Sequence, residues 1–437
     1  MDPISLARKL LELGPICDHC LGRRFVGLPG RLTNLERGFL LRLALGFGET
    51  QAERCWVCTG VFQHIPKWAE QAFELAKDYE FQTFLFGGHL SPYLEATEEF
   101  LAENFPSPWA EPLRRALNRA LGQAFEAVLR AHGQKATVDY ARPDLQFLVD
   151  LQEDKVHLKV NPLVLYGRYR KLVRGIAQTL WTCPRCRGKG CEVCGGRGKL
   201  APTSVEELVV PVFLAATGGK AGKFHGAGRE DADARMLGRG RPFLLEVEEP
   251  RRRALDFQWI VEEVRQRTAG AVEVLDLQPA TPELEAKVKR GRFLKVYRAR
   301  VVFASAVAEG DFQRALSALP GEIAQRTPAR VRHRRADLVR RRRVFSAKGQ
   351  LLSPTEAELE LLCETGLYVK ELISGDQGGT QPSLAMLLGR EAQVTELDVL
   401  DVLDAAGSGP GDCPHSEGPI GADPIRHQGR EESERVR

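Results

Sequence analysis

In the N-terminal part of the chain, the spacing of hydrophobic residues alternates between segments with the period of a helix and segments with the period of a strand. Residues 3–13 have the pattern of a short amphipathic helix, and Thr33 and Glu36 form a capping box for a helix that ends near Leu45. Further helices are predicted at 67–79, 94–104 and 109–132, an apolar strand at 81–86, and an antiparallel hairpin at 145–160. Helices mixed with antiparallel strands indicate a small α+β module.

Strand patterns dominate from about Ala201 to Leu403. Seven segments have strand-like hydrophobicity, and they are VVPVFLAA, FLLEVEE, VEVLDL, FLKVYRARVVF, ARVRHRR, LVRRRRVF and ELELLCE. With helices between some of them, they predict one large mixed, mainly antiparallel sheet. Beyond Leu403 the composition is typical of disorder. The expected organisation is a multidomain α+β protein with an N-terminal domain over 1–200, a C-terminal domain over 201–405 and a disordered tail over 406–437.

Basic residues are unevenly distributed along the chain. The 437 residues carry 62 lysines and arginines against 58 acids, so the net charge of +4 says little by itself. From Arg326 to Arg343, however, nine arginines accompany a single acid, Asp337. Such a run is most often a solvated surface, but its density and its alternation with apolar residues favour a nucleic-acid partner. The residues of this run expected to contact RNA are Arg330, Arg334 and Arg335.

A second candidate RNA surface lies in YGRYRKLVR, residues 166–174. Two tyrosines are interleaved there with bases, as in surfaces that stack on and neutralise RNA. The bases of this segment expected to contact RNA are Arg168, Arg170 and Lys171.

The chain has no pattern of membrane insertion or secretion. It lacks an apolar stretch of about 18 residues, and its N-terminus lacks the apolar core of a signal peptide. A cytoplasmic protein without membrane contact is therefore expected. Eight of the ten cysteines fall in four C-x2-C pairs, which in a reducing compartment indicates zinc before disulfides.

The cysteine pairs combine into two sets of four. The sets are Cys17, Cys20, Cys55 and Cys58, and Cys183, Cys186, Cys191 and Cys194. A two-residue gap lets both thiolates of a pair reach one ion, whereas free buried cysteines would not need matched pairs. The second set also matches the CxxCxGxG repeat of J-domain chaperones, but with two copies instead of four and no HPD tripeptide. Because every position is cysteine, two structural zinc ions are expected.

An unusually polar segment, GREDADARMLGRGRPF, occupies residues 228–243. It places arginines and acids among glycines, which suits an active-site loop that faces a polyanion better than a core element. Asp231 follows Arg229 by two residues, and an ionised aspartate can act as a nucleophile or a base. Arg229 is expected to face RNA. A structural aspartate–arginine pair is the alternative, and the residues taken alone favour it slightly.

Four segments resemble pseudouridine synthase motifs, in the order in which that superfamily has them. They are GREDADARMLGRGRPF, FLKVYRARVVF, QRTPARVRHRRAD and GLYVKELISGDQGGTQPS. Together with CDHCLGRRF and YGRYRKL, they resemble the archaeal tRNA pseudouridine synthase family, shared with eukaryotes, that joins a THUMP-containing zinc-binding domain to the catalytic domain. The resemblance covers residues 1 to about 403.

This resemblance implies roles for three residues of the C-terminal domain. Asp231 matches the essential aspartate of these enzymes and would be the nucleophile. Tyr297, in KVYRA, matches the tyrosine that stacks on the target base, and Lys370, in GLYVKEL, matches the basic residue that pairs with the aspartate. The sequence departs from the family at Gly379, where arginine is usual, and at Ala177, where proline is usual, which affects only local tRNA contacts.

The implied substrate is the T-loop of tRNA, in which uridine 55, and in archaea often uridine 54, becomes pseudouridine. Residues 1–200 would bind the tRNA. A uridine inside the folded loop must be flipped out, and stacking on an aromatic ring offsets the cost of unstacking. The protein is expected to be a monomer with no catalytic cofactor. The alternatives are a non-catalytic zinc-containing RNA-binding protein or RNA chaperone, and a J-protein-like chaperone.

Overall fold

The structure is a computed structural model that describes residues 2–334 and 336–404, with side chains described for all of these except 332–334. Two hydrophobic cores organise them, one built from residues between Leu6 and Val149 and one from residues between Leu165 and Val402. The RNA contacts predicted for Arg334 and Arg335 and the tail predicted at 406–437 lie outside the residues whose side chains the structure describes.

The first core is covered by helices and a four-stranded sheet. Its elements are α1 (Pro3–Leu13), α2 (Asp18–Gly22), α3 (Asn34–Leu45), α4 (Ile65–Ala76), β1 (Thr83–His89), α5 (Pro92–Asn104), α6 (Leu113–Ala131), β2 (Thr137–Val138), β3 (Leu145–Asp150) and β4 (Lys155–Val160). The strand order is β2-β1-β3-β4, with β1 parallel to both neighbours and β3–β4 an antiparallel hairpin. The predicted hairpin is confirmed. So is the capping box at α3, where Thr33 and Glu36 bond to each other's backbone amides.

The second core lies against a ten-stranded sheet. Its elements are β5 (Leu163–Lys171), α7 (Val205–Thr217), β6 (Ala221–Gly226), β7 (Arg235–Glu248), α8 (Phe257–Arg267), β8 (Val272–Pro279), α9 (Pro282–Arg290), β9 (Phe293–Phe303), α10 (Glu309–Ala318), β10 (Gly321–Arg326), β11 (Val339–Ser353), β12 (Glu356–Glu364), α11 (Val369–Ser374), β13 (Thr380–Gln381), α12 (Leu384–Leu388) and β14 (Ala392–Asp404).

The order of this sheet is β13-β10-β11-β12-β9-β14-β7-β5-β8, and β6 pairs with β7. Strands β14 and β7 are parallel, and the other described pairs of the sheet are antiparallel. The predicted mixed, mainly antiparallel sheet is therefore confirmed. Along β9, alternate residues are buried, as expected of a strand with one face on the core.

Two of the seven predicted strands have another structure. VVPVFLAA lies in helix α7, which Ser204 caps at its start and Gly218, in the left-handed conformation, ends. An apolar run of eight residues does not distinguish a buried strand from a buried helix, so these caps decided the outcome. In the ARVRHRR segment, the described residues form a 3₁₀-helix, Ala329–Arg334, and the Thr327 amide donates a hydrogen bond to Leu338 O at 3.0 Å, which closes the loop between β10 and β11.

Strand β5 joins the C-terminal sheet although it precedes the boundary expected at residue 200. It pairs with β7 and β8 and contributes Leu165 and Tyr169 to the second core. The division between the two cores thus lies between Val160 and Leu163. Nothing in the strand pattern of residues 163–171 indicated that its pairing partners come later in the chain.

Candidate active site and metal centres

The loop between β6 and β7 carries Asp231, and a buried acid beside it anchors this loop. Glu230 is 5% exposed. Its carboxylate accepts a hydrogen bond from the Tyr169 hydroxyl at 2.9 Å and forms an ion pair with Arg241 Nε at 2.8 Å. Glu230 therefore points into the core. Asp231, the next residue, keeps 32% of its side chain exposed and contacts Arg330 instead.

Two buried cations hold the backbone of the same loop. Lys171 Nζ donates hydrogen bonds to the carbonyls of Asp231 and Ala232, both at 3.2 Å, and Arg241 donates to the carbonyl of Ala227 at 2.9 Å. The Lys171 side chain is fully buried, and this burial lowers its pKa. It cannot reach RNA. The expected RNA contact of Lys171 is therefore wrong, because β5 is an interior strand of the sheet.

The other two bases predicted on β5 also bond to protein groups. Arg168 donates to the carbonyls of Arg239 and Gly240, each at 2.7 Å, and only 11% of its side chain is exposed. Arg170 forms an ion pair with Glu273 at 2.7 Å and is about one third exposed. The interleaved tyrosines and bases of this strand thus stabilise the sheet instead of forming an open basic surface.

The Asp231 carboxylate lies between two cations. Arg330 Nη1 is 3.0 Å from Asp231 Oδ2, and Lys370 Nζ is 3.6 Å from the same oxygen. Lys370 lies nearer to Asp233, at 2.6 Å, while Arg330 also contacts Glu371 at 2.6 Å. Burial opposes the charge on Asp233, but the Lys370 ammonium holds its pKa below the usual value. Arg330, predicted only as an RNA contact, is thus the nearest base to Asp231, and Lys370 is shared between two acids.

A cavity of about 300 Å³ opens beside Asp231. This volume is at the lower end of the roughly 300–1,000 Å³ of typical ligand pockets, which suits a single base. Tyr297, from β9, lines it and is 9% exposed, and burial raises the pKa of its phenol. The basic side chains in the wall are Arg229, Lys295, Arg330, Arg340, Arg342 and Lys370. With Glu230 and Asp231 as the acids of the wall, the cavity has a positive field that suits a phosphate-bearing substrate.

Several residues of this site had no role predicted from the sequence, and three of them line the cavity or bond to its charged groups. They are Glu230, Lys295 and Glu371. Lys295 had a usable signal, because it precedes Tyr297 by two residues in a strand and so lies on the same face. Glu230 and Glu371 had no such signal in the sequence, because an acid next to another charged residue can be either exposed or buried.

The two cysteine sets are each gathered around one point, with all four sulfurs within 4.8 Å of one another. The distances from Cys17 to Cys58 and from Cys183 to Cys191 are 3.6 and 3.8 Å. Four thiolates about 2.3 Å from a tetrahedral ion would be about 3.8 Å apart, so both sets fit a metal ion. In the second set, the amide of Gly190 also donates to the Cys186 sulfur at 3.2 Å, which favours a thiolate.

The second cysteine set is adjacent to the Asp231 loop. The Arg229 guanidinium lies 4.4 Å from the ring of Trp181, which precedes Cys183 by two residues. Gln178 donates a hydrogen bond to the carbonyl of Gly228 at 2.8 Å. Arg229, expected to face RNA, therefore stacks on Trp181, next to the second cysteine set, and also lines the cavity.

Comparison with known proteins agrees with this architecture. The family described as Pus10, C-terminal, matches residues 164–403, and the archaeal Pus10 THUMP domain matches residues 68–150. The curated tRNA pseudouridine synthase Pus10 of Methanothrix thermoacetophila is 42% identical over 433 residues, which cover 92% of this chain and 94% of that protein. The protein of the same name from Halorubrum lacusprofundi is 42% identical over 417 residues, covering 92% and 96%.

The fold and the site thus define an isomerase of the pseudouridine synthase class. The chain belongs to the Pus10 family. Among solved structures, a Cbf5-Nop10-Gar1 complex is similar with a TM-score of 0.29 and 17% identity over 45% of this chain and 44% of that chain, a likeness too weak to support any conclusion. Among the described helices, none combines the length and apolarity that a membrane crossing requires.

Proposed function

We propose that this enzyme converts uridine to pseudouridine in the T-loop of tRNA, at position 55 with position 54 as a second candidate, and that Asp231 is the nucleophile. The observation that carries this proposal is the convergence of Asp231, Arg330, Lys370 and Tyr297 on one basic cavity. Its relatives, named tRNA pseudouridine synthases, support tRNA as the substrate.

In the proposed reaction, the target uridine leaves the T-loop and its base enters the cavity. Stacking on Tyr297 offsets the cost of unstacking, which is a few kcal/mol. Arg330 and Lys370 hold the Asp231 carboxylate in position and orient it towards the ribose. The carboxylate bonds to C1′ as the bond from C1′ to N1 breaks. The uracil then turns, and C5 forms the new bond to C1′ as the carboxylate departs.

This sequence of steps needs no oxidant and no energy source. The proton lost from C5 is balanced by the proton gained at N1, so the product is an isomer of the substrate. We therefore expect no catalytic cofactor. We propose that zinc occupies both cysteine sets as a structural ion, since four thiolates complete its tetrahedral shell and leave no position for water.

We propose that the N-terminal domain binds the body of the tRNA. A cavity of about 1190 Å³ opens between α6 and β1, and its wall includes Arg114, Arg115, Arg119, Trp109 and Tyr140. Arginines with exposed aromatic rings suit the phosphates and bases of RNA. Since tRNA is the proposed substrate, a cytoplasmic enzyme is expected, and the monomeric state stays a prediction.

The non-catalytic alternatives fit the site less well. An RNA chaperone needs arginines and aromatic rings but no carboxylate held between two cations above a buried tyrosine. A J-protein-like chaperone needs an apolar client surface, whereas the cavity beside Asp231 is lined by six bases.

Asp231 and Asp233 provide a matched pair of variants for the test. Asp231→Asn keeps the size of the side chain and removes its charge, so we expect tRNA binding to persist while turnover falls by several orders of magnitude. Asp233→Asn makes the same change two residues away, on a side chain that is 66% exposed, and should retain most activity. Tritium release from C5-labelled unmodified tRNA measures turnover, and transcripts with cytidine at position 54 or 55 assign the target. Turnover in Asp231→Asn together with its loss in Asp233→Asn would refute the choice of nucleophile.

A further inference from the structure

Lys295 lies at the bottom of the cavity that Asp231 and Tyr297 share. It is 4% exposed and lines the cavity from β9. Because side chains alternate across a strand, Lys295 and Tyr297 lie on the same face, two residues apart. The ring on which the base is proposed to stack therefore has a buried amine beside it.

Within the part of the chain whose side chains are described, Lys295 has no partner, unlike its charged neighbours. Arg241 is paired with Glu230 at 2.8 Å, and Lys171 bonds to the carbonyl of Ile176 at 2.6 Å. Within residues 2–334 and 336–404, no acceptor hydrogen-bonds to Lys295 Nζ and no carboxylate lies within 4.0 Å of it. A buried cation without a partner is costly, so a retained one calls for a ligand that completes its hydrogen bonding.

The Asp231 loop passes directly over this amine. A Cβ atom on Gly228, whose φ is +78°, would be 2.9 Å from Lys295 Nζ. The absence of a side chain at Gly228 thus leaves room for the amine beneath the loop. Burial, followed by the charge of Arg241, lowers the pKa of Lys295 to about 7, and Glu230 opposes this shift. Cys363, opposite Lys295 on β12, also opposes the shift of this pKa, and Asp231 and Tyr297 line the same cavity.

We propose that Lys295 is a catalytic residue that donates a hydrogen bond from Nζ to a carbonyl oxygen of the target uracil and stabilises the negative charge of the base as it leaves C1′. This inference rests on the proposed function, because it requires a uridine in the cavity. Uracil presents two carbonyl oxygens, and Lys295 offers three donors. Lys295 is suited to this role because its amine is deeply buried in the cavity wall and its donors are not used by described protein groups.

The chemistry explains why such a donor accelerates the reaction. When the bond from N1 to C1′ breaks, its electron pair stays on the uracil, and the charge spreads from N1 to the carbonyl oxygens. A donor already held in a cavity of low polarity stabilises this charge more than it stabilises the neutral uridine. The charge disappears when C5 bonds to C1′ and N1 takes up a proton. Lys295 gives up no proton in the net reaction.

The test uses the full chain with Lys295→Met, which keeps the unbranched shape of the side chain, shortened by one atom, and removes the donor. Lys289→Met, on the exposed face of α9, is the matched control. We expect single-turnover kcat to fall by about 100-fold or more in Lys295→Met, as when one oxyanion donor is removed, with the Kd for tRNA within about threefold of wild type. Turnover within about threefold of wild type would overturn the proposal.

A pH profile of the wild-type enzyme tests the proposal even if Lys295→Met does not fold. The ammonium is the stronger donor, so kcat/KM should fall as pH rises through about 7, the pKa of Lys295. Lys295→Met should lack this decrease, and a flat wild-type profile from about pH 6 to 9 would contradict the role. If wild-type enzyme releases no tritium from tRNA, the proposed function fails. If it does and Lys295→Met is normal, only the role of Lys295 fails.

Discussion

Replacing Glu230 by glutamine should destabilise the C-terminal domain by about 3 kcal/mol. Glutamine has the same shape and can still accept the hydrogen bond of the Tyr169 hydroxyl, but it removes the counter-ion of Arg241, which is fully buried. Removing one partner of a buried ion pair costs roughly 3–5 kcal/mol, because the remaining charge is left unpaired. Because the hydrogen bond from Tyr169 is retained, the expected loss of stability is at the lower end of this range.

The adjacent Asp231 offers a control for the burial argument. Asp231→Asn makes the same chemical change one residue away, but Asp231 and Arg330 keep about one third of their side chains exposed. Ion pairs open to solvent contribute about 0–1 kcal/mol. The two variants should therefore separate cleanly, with Glu230→Gln losing stability and Asp231→Asn losing turnover at nearly unchanged stability.

Urea unfolding followed by circular dichroism measures this difference. With a denaturant slope of about 3 kcal/mol per molar, a loss of about 3 kcal/mol lowers the unfolding midpoint by about 1 M. The double variant Glu230→Gln with Arg241→Met removes the unpaired charge and should recover part of the loss. A midpoint for Glu230→Gln within about 0.3 M of wild type, or a double variant less stable than the sum of both changes, would refute the reasoning.

Three further predictions follow from other parts of the catalytic domain. Gly228→Ala should lower turnover, because its Cβ would be 2.9 Å from Lys295 Nζ and its φ of +78° costs a side chain about 1–2 kcal/mol; tritium release and thermal unfolding measure both effects. Burial opposes the charge on Asp398, but its ion pairs with arginines, including Arg235, hold its pKa below the usual value. The ionised Asp398 therefore contributes its full stabilisation above about pH 4, and this contribution is lost as the pH falls further. Acid-unfolding curves should show wild type losing stability below about pH 4, and the stability of Asp398→Asn should depend less on pH. Cys183→Ser should reduce bound metal from two ions to one by mass spectrometry and also reduce turnover, since the Asp231 loop contacts this site.

Sequence patterns predicted the parts of the fold that depend on neighbours along the chain. The Thr33–Glu36 capping box and the hairpin at 145–160 were predicted correctly, because each is set by residues a few positions apart. The VVPVFLAA segment was not, since an apolar run fits a buried helix and a buried strand equally well. The assignment of β5 to the N-terminal domain was wrong because its partners are more than 60 residues away.

The site shows the same division between local and distant information. The motif resemblance brought together Asp231, Tyr297 and Lys370, and the structure places all three at one cavity. It did not indicate that Arg330 lies closer to Asp231 than Lys370 does, because that distance depends on how the loop after β10 folds back. Lys171 was misjudged for a related reason: a base between tyrosines looks the same in sequence on an open surface and in an interior strand.

The position of β14 in the middle of the large sheet affects when this enzyme can first act in the cell. The strand that carries Tyr297 and the strand that follows Asp231 are not paired with each other, and β14 lies between them. The ribosome makes residues 392–404 after both. A growing chain that has emerged only as far as β12 can already fold its N-terminal domain, but it holds the two halves of the pocket on strands without a common neighbour. If the N-terminal domain binds tRNA as proposed, such a chain would bind tRNA without modifying it, and activity would begin only when β14 inserts between β9 and β7.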